Sequence, residues 1–146
     1  MKQLVLRGLR GGIGATSLLA GLGIALHEQG ERVLLIDLSP DNMLRLHFSV
    51  DIAYASGWAR AQLDAAPWHE SALELLPGLH LLPYGELGGA EISQIEGQLC
   101  ADSSCWVQRC DLIGHNYDWV LFDLPQLPAG NLTLIGIKDG AIDCAS

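Results

Sequence analysis

Residues 8–17 read Gly8-Leu9-Arg10-Gly11-Gly12-Ile13-Gly14-Ala15-Thr16-Ser17. Four glycines fall within the seven residues from Gly8 to Gly14, more than a tight turn needs. Before them, Gln3 to Leu9 is β-like. After them, Thr16 to Gln29 has helical periodicity, with Leu18, Leu19, Leu22, Ala25 and Leu26 as the apolar stripe, and Gly30 is placed to stop the helix. Arg32 to Ile36 is almost wholly apolar, as a strand buried on both faces is. Together these make a βαβ unit, right-handed by the general rule, with a glycine loop between its first strand and its helix. Such a loop lets backbone N–H groups converge, and the helix N-terminus behind it carries partial positive charge. A phosphate site is therefore expected there.

Outward from this unit the pattern continues. A helical stretch is expected at Asn42–Leu46, after Pro40, and a short helix at Gly57–Ala65. Leu79–Leu82 reads as a third strand, Glu91–Ile113 as one long helix weakened by Gly97, and Asp118–Phe122 as a fourth strand ending at Asp123. Strands separated by helices predict a three-layer α/β fold with a mostly parallel sheet. After Pro128 the pattern decays. Asn131–Ile137 is a candidate short strand, and 138–146 offers no closing helix.

The chain has 146 residues, 49% hydrophobic and 17% charged, enough for an ordered core and too apolar for disorder. The formal net charge of −9, with no basic stripe to offset it, argues against nucleic acid and anionic lipid as partners. No apolar run is long enough to span a bilayer, and Met1–Leu6 lacks the apolar core of a signal peptide, so the cytoplasm is expected. Cys100, Cys105 and Cys110 recur every five residues, about 140° per step around a helix, and share no face. With Cys144 they match no common zinc spacing and read as reduced structural thiols. The five histidines are scattered without a metal-binding pair.

Two ligands compete for the glycine loop. Gly8-x-x-x-Gly12-x-Gly14 fits the nicotinamide-dinucleotide loop of short-chain dehydrogenases, with Asp37 at the end of the second strand to hold the ribose. That reading lacks the catalytic Tyr-x-x-x-Lys pair, since Lys2 and Lys138 are the only lysines. The other ligand is ATP. Arg10-Gly-Gly-Ile-Gly-Ala-Thr16-Ser17 resembles the deviant Walker A loop of the MinD/ParA-like ATPases. Leu34-Leu35-Ile36-Asp37 looks like their second-strand Asp motif, and Val120-Leu121-Phe122-Asp123 like their Walker B strand, in the right order. Further stretches, Asp41-Asn42-Met43-Leu44-Arg45-Leu46 and Gly57-Trp58-Ala59-Arg60-Ala61, narrow the likeness to the MinD/ParA-like proteins of bacterial cellulose secretion systems. It runs from about Leu4 to Pro128.

The resemblance implies a set of roles. Backbone groups of Gly11, Gly12, Ile13, Gly14, Ala15, Thr16 and Ser17 would cradle the phosphates of ATP. The Thr16 hydroxyl would ligate Mg²⁺, with Asp37 and Asp123 near the metal, partly through water, and as catalytic carboxylates. Arg10 stands where the family's signature lysine reaches across a nucleotide-dependent homodimer. Cellulose synthase and secretion components are the implied partners, with recruitment to the inner-membrane complex and no insertion of the chain itself.

The departures are specific. Ala15 replaces the P-loop lysine and Ser39 stands where a second, water-orienting Asp is common, so very slow or absent hydrolysis is expected. Asp41 is a candidate substitute for that Asp. Arg45 and Arg60 read equally as phosphate or partner contacts and as solvated surface arginines. The family-like part is 1–128, and 129–146 reads as an atypical tail from truncation or frameshift. A scaffold that kept the fold and lost the nucleotide is a third reading.

Overall fold

A computed structural model describes residues 1–8, 13–102, 104–125 and 141–144. Strand β1 (Lys2–Gly8) leads towards helix α1 (Ile13–Glu28) and strand β2 (Val33–Asp37). A 3₁₀ turn at Leu44–Phe48 and helix α2 (Trp58–Leu63) follow, with a second 3₁₀ turn at Trp68–Ser71. Next come β3 (Leu73–Leu76), β4 (Leu79–Leu82), α3 (Gly89–Ala101), α4 (Cys105–Ile113), β5 (Trp119–Leu124) and β6 (Ala141–Cys144). The sheet order is β3-β4-β2-β5-β1-β6. Every pairing is parallel except that of β3 with β4.

Alternation along the strands divides the core between the two faces of the sheet. Leu6, Val33, Leu35, Leu79, Leu81 and Leu121 pack with Leu19 and Ala20 of α1. Val5, Leu34, Ile36, Val120 and Phe122 face the other way, against Trp58 of α2, Ile95 of α3 and Trp106 of α4. This is the expected three-layer arrangement. All five residues of β2 are buried, as its apolar run requires.

Helix α1 ends as its sequence directs. Gly30 has φ +86°, its N–H donates to His27 O, and the Glu31 N–H reaches back to Leu26 O. These two bonds form a Schellman closure, which needs the left-handed conformation glycine supplies. The apolar stripe is shifted from the expected one. Leu19 is fully buried and Leu22 and Leu26 pack beside it, while Leu18 is 47% exposed and Ala25 faces solvent. The helix packs closely on β2 at Gly23, where an added Cβ would lie 3.0 Å from the Leu35 side chain.

Four expectations need correction. Asn42 lies outside any helix, at φ +56°, and the turn runs from Leu44 to Phe48 instead of Asn42 to Leu46. The stretch 91–113 is two helices, and Gly97 is not where they part; it stays inside α3. The break falls at Asp102, whose φ −128° and ψ 85° leave the helix and whose Oδ1 accepts from both the N–H and the hydroxyl of Ser104. Short polar side chains compete in this way for backbone groups. Strand β3 has no counterpart in the sequence pattern, and neither has β6 within 138–146. Both are four residues long and edge strands, too short for period-2 patterning to show. The candidate strand 131–137 lies outside the described residues.

Gly97 is exposed, with open space where a Cβ would stand. Gly97→Ala is therefore expected to stabilise the protein by about 0.5–1 kcal/mol. A rise in the urea midpoint with unchanged slope is the check.

Candidate functional site

The site lies at the C-terminal edge of the three central strands. Because β2 and β5 are parallel and in register, Asp37 sits directly opposite Asp123. Leu6 of β1 is opposite Asp123 on the other side, so the carboxylate lies beside the strand that runs towards the glycine loop. Ligands of open α/β sheets bind at this edge.

Both aspartates are buried: Asp37 is fully inaccessible and Asp123 is 2% exposed. The Thr16 hydroxyl, in the first turns of α1, donates to Asp123 Oδ2 at 3.0 Å. Asp37 Oδ1 accepts from the Ser39 N–H at 2.9 Å and Oδ2 from the Leu44 N–H at 3.3 Å. The main chain of Asp37 is held too, since Trp58 Nε1 donates to its carbonyl at 2.7 Å. Thr16, Asp37 and Asp123, all three expected from sequence, stand together here. Arg10, Gly11 and Gly12 lie outside the described residues. Ile13, Gly14 and Ala15 begin α1, and Ser17 is an exposed residue of that helix.

The electrostatics are those of an acidic pair out of water. Burial pushes the Asp37 carboxyl well above the usual range, and the neighbouring Asp123 pushes it further. Burial raises Asp123 to about 6, against the lowering effect of the Thr16 hydrogen bond. The Asp41 charge raises both. Asp41 is itself exposed, and its Oδ1 accepts from the Met43 N–H at 3.3 Å. Adjacent desolvated carboxylates repel each other, and a divalent cation between them and a phosphate would relieve that repulsion.

The donor set fits Mg²⁺. A threonine hydroxyl and two carboxylates are hard oxygen donors. Among the described residues no three His, Cys, Asp or Glu side chains form a closed metal cage. Both oxygens of Asp37 already accept from backbone N–H groups.

The two arginines part ways. Arg60 is paired with Asp64 and Glu91, at 3.0 and 2.8 Å, and links α2 to α3. Arg45 is only 6% exposed and holds backbone carbonyls instead. Arg45 is therefore not the solvated surface residue that one of the two sequence readings had, whereas Arg60 is a partly exposed arginine engaged in ion pairs.

Trp58 enters the sequence reading only as part of a resemblance; its bond to Asp37 has no local signal. The ring is fully buried, edge-on to Tyr84 and Trp106 at 5.0 Å each. Trp58→Phe removes the donor to the Asp37 carbonyl and leaves the smaller ring short of contacts. A loss of about 1–3 kcal/mol is expected in urea unfolding.

A mostly parallel sheet with helices on both faces, a helix following a glycine run, and an aspartate at the C-terminal end of each of two adjacent strands are the marks of the P-loop fold, of the MinD/ParA kind. Within that class the sequence model described as "Cellulose biosynthesis protein BcsQ" matches residues 1–142, and the chain belongs to that family. It is 42% identical over 127 residues to the BcsQ protein of Salmonella typhi, covering 86% of this chain and 50% of that one. It is also 32% identical over 150 aligned positions to the chromosome partitioning protein ParA of Caulobacter vibrioides, covering 97% of this chain and 53% of that one. Among solved structures, cobyrinic acid a,c-diamide synthase from Mycobacterium smegmatis, with bound ATP analogue and magnesium, superposes with TM-score 0.72 at 27% identity. That match covers 93% of this chain and 54% of the synthase. The chain thus spans about half the length of the curated relatives it matches. No helix among the described residues is long and apolar enough to cross a membrane.

Proposed function

We propose that this chain carries the Mg²⁺–ATP site of a dimerising switch protein that supports bacterial cellulose biosynthesis and secretion from the cytoplasmic side. The observation that carries the reading is the Thr16 hydroxyl on Asp123 at 3.0 Å, with Asp37 in register beside it. These are the three side chains a P-loop site uses to hold Mg²⁺ against the phosphates. Residues 10–17 supply the phosphate cradle, and residues 1–128 are the family-like part of the nucleotide domain. The structural neighbour with bound ATP analogue and magnesium supports the choice of ligand.

Hydrolysis is very slow in this reading. Phosphoryl transfer depends on preorganised charge around the transferred group. Losing one such group costs about 2.7–4 kcal/mol of transition-state stabilisation, or about 10²–10³ in rate. Ala15 and Ser39 remove two, while the backbone cradle and Mg²⁺ still support ground-state binding. Asp41 faces the site electrostatically and is the carboxylate that takes part of the role of the missing Asp.

Arg10 is the residue that reaches the partner protomer. In a chain of the relatives' full length, Mg²⁺–ATP should shift sedimentation from monomer to dimer. Arg10→Ala should weaken that shift by about tenfold in Kd, without changing thermal stability. Identical profiles with and without saturating Mg²⁺–ATP would overturn the switch reading.

A further inference from the structure

A cavity of about 490 Å³ opens beyond the end of β2, between the segment 40–45 and the loop 85–88. Its size is in the range of small-molecule sites. Two buried polar side chains stand in its wall. Arg45, 6% exposed, donates Nε to the Asn42 carbonyl at 3.1 Å and Nη1 to the Tyr54 carbonyl. Both acceptors are neutral, and Arg45 forms no ion pair among the described residues. Arginine is rarely buried without a carboxylate, because neutral dipoles compensate its charge only in part. Asn42, 4% exposed, accepts from the Gly85 N–H at 3.4 Å, but its Nδ2 has no partner. It is also held at φ +56°, a backbone region that non-glycine residues seldom adopt.

One unmet amide donor beside a guanidinium that faces only neutral carbonyls calls for an anion with two acceptor oxygens. The rim selects which one. Asp41 and Glu86 line the same cavity and are exposed. Their charges repel a phosphate dianion and attract a cation. A single water would satisfy the Asn42 amide but leave the guanidinium as it is. Leu87 and Pro40 add apolar wall.

We infer that this cavity binds a small zwitterion of the amino-acid class, its carboxylate on Arg45 and Asn42 and its ammonium between Asp41 and Glu86. The chemistry differs from that of the phosphate site next to it, and no nucleotide is needed for binding.

The test is an amide-resolved NMR titration of this chain with glycine, L-leucine and L-glutamate. L-leucinamide, 4-methylpentanoate and inorganic phosphate are the comparators. At least one amino acid should give saturable shifts centred on residues 40–46 and 85–88. Leucinamide, without the carboxylate, and 4-methylpentanoate, without the ammonium, should each bind at least about tenfold more weakly than leucine. Glu86→Gln alters only an exposed side chain and should weaken binding by about fivefold. Asn42→Gly, which keeps the left-handed backbone, should weaken it by about tenfold. The inference fails if none of the three amino acids shifts these amides, if phosphate shifts them as strongly, or if Glu86→Gln leaves the affinity unchanged.

Discussion

Asp123→Asn is expected to make the ligand-free protein more stable and, at the same time, to abolish the Mg²⁺ dependence of nucleotide binding. The carboxyl titrates near 3.8 in an unfolded chain and at about 6 in the fold, because it is buried. A raised pKa means that the folded state prefers the protonated form. Stability from this group is therefore fully present below about 4, is lost as pH rises towards about 6, and stays lost above that. The difference amounts to about 3 kcal/mol at neutral pH. Asparagine keeps an oxygen for the Thr16 hydroxyl and carries no charge, so part of that cost should be recovered, about 1–3 kcal/mol. Urea unfolding at pH 4 and pH 7.5 checks the sign: the variant should gain at 7.5 and gain little at 4. Asp37 contributes in the same direction, its carboxyl lying well above the ordinary range for the same reason. A stabilising substitution that destroys metal-dependent binding is the mark of a carboxylate retained for function rather than for the fold.

The largest loss of stability is expected from Gly57→Ala. The backbone there is extended, at φ 177°, so strain is not the issue. Space is. A Cβ on Gly57 would collide with the main chain of Tyr84 and Gly85 and stand 2.5 Å from the Pro83 carbonyl oxygen. Those atoms cannot move aside, because the Trp58 and Ala59 N–H groups donate to the Pro83 and Tyr84 carbonyls at 2.9 and 3.0 Å. Parting the two segments would break both bonds and pull Trp58 from the Asp37 carbonyl. A cost of about 3 kcal/mol or more is expected, lowering Tm by at least about 6 °C in a domain of this size. Gly57→Ala should also weaken Mg²⁺–ATP binding through the displaced Asp37, which Gly97→Ala should not.

These two residues mark what is legible in the sequence. Asp123 stands out because it ends an apolar run and follows, in order, a glycine loop and a second strand-ending Asp. A charge at the end of a buried strand is costly to the fold, so two of them beside a phosphate loop point to a cation. The central strands and α1 are legible for a related reason: buried parallel strands are written as unbroken apolar runs, and Gly30 marks the end of α1. Gly57 does not announce its role. Its constraint comes from a loop nearly thirty residues later, and no local pattern encodes a close approach between two backbones. The bond from Trp58 to Asp37 and the donors of Asn42 and Arg45 are hidden for the same reason. The boundary between α3 and α4 is misleading in the sequence because Gly97 looks like the weaker point. Glycine inside a helix costs about 1 kcal/mol and is tolerated, whereas Asp102 and Ser104 offer the backbone an alternative set of hydrogen bonds. Strand β6 follows from pairing with β1, a non-local cause.

The central claim is that Thr16, Asp37 and Asp123 hold Mg²⁺ against the phosphates of ATP. Calorimetric titration of the chain with ATP, ADP and NADH, each in Mg²⁺ and in EDTA, tests it most directly. ATP and ADP should bind at least about tenfold more tightly with Mg²⁺ than with EDTA, and NADH should give no binding heat. Tight NADH binding with none for ATP, or ATP affinity that is the same in EDTA, would contradict it.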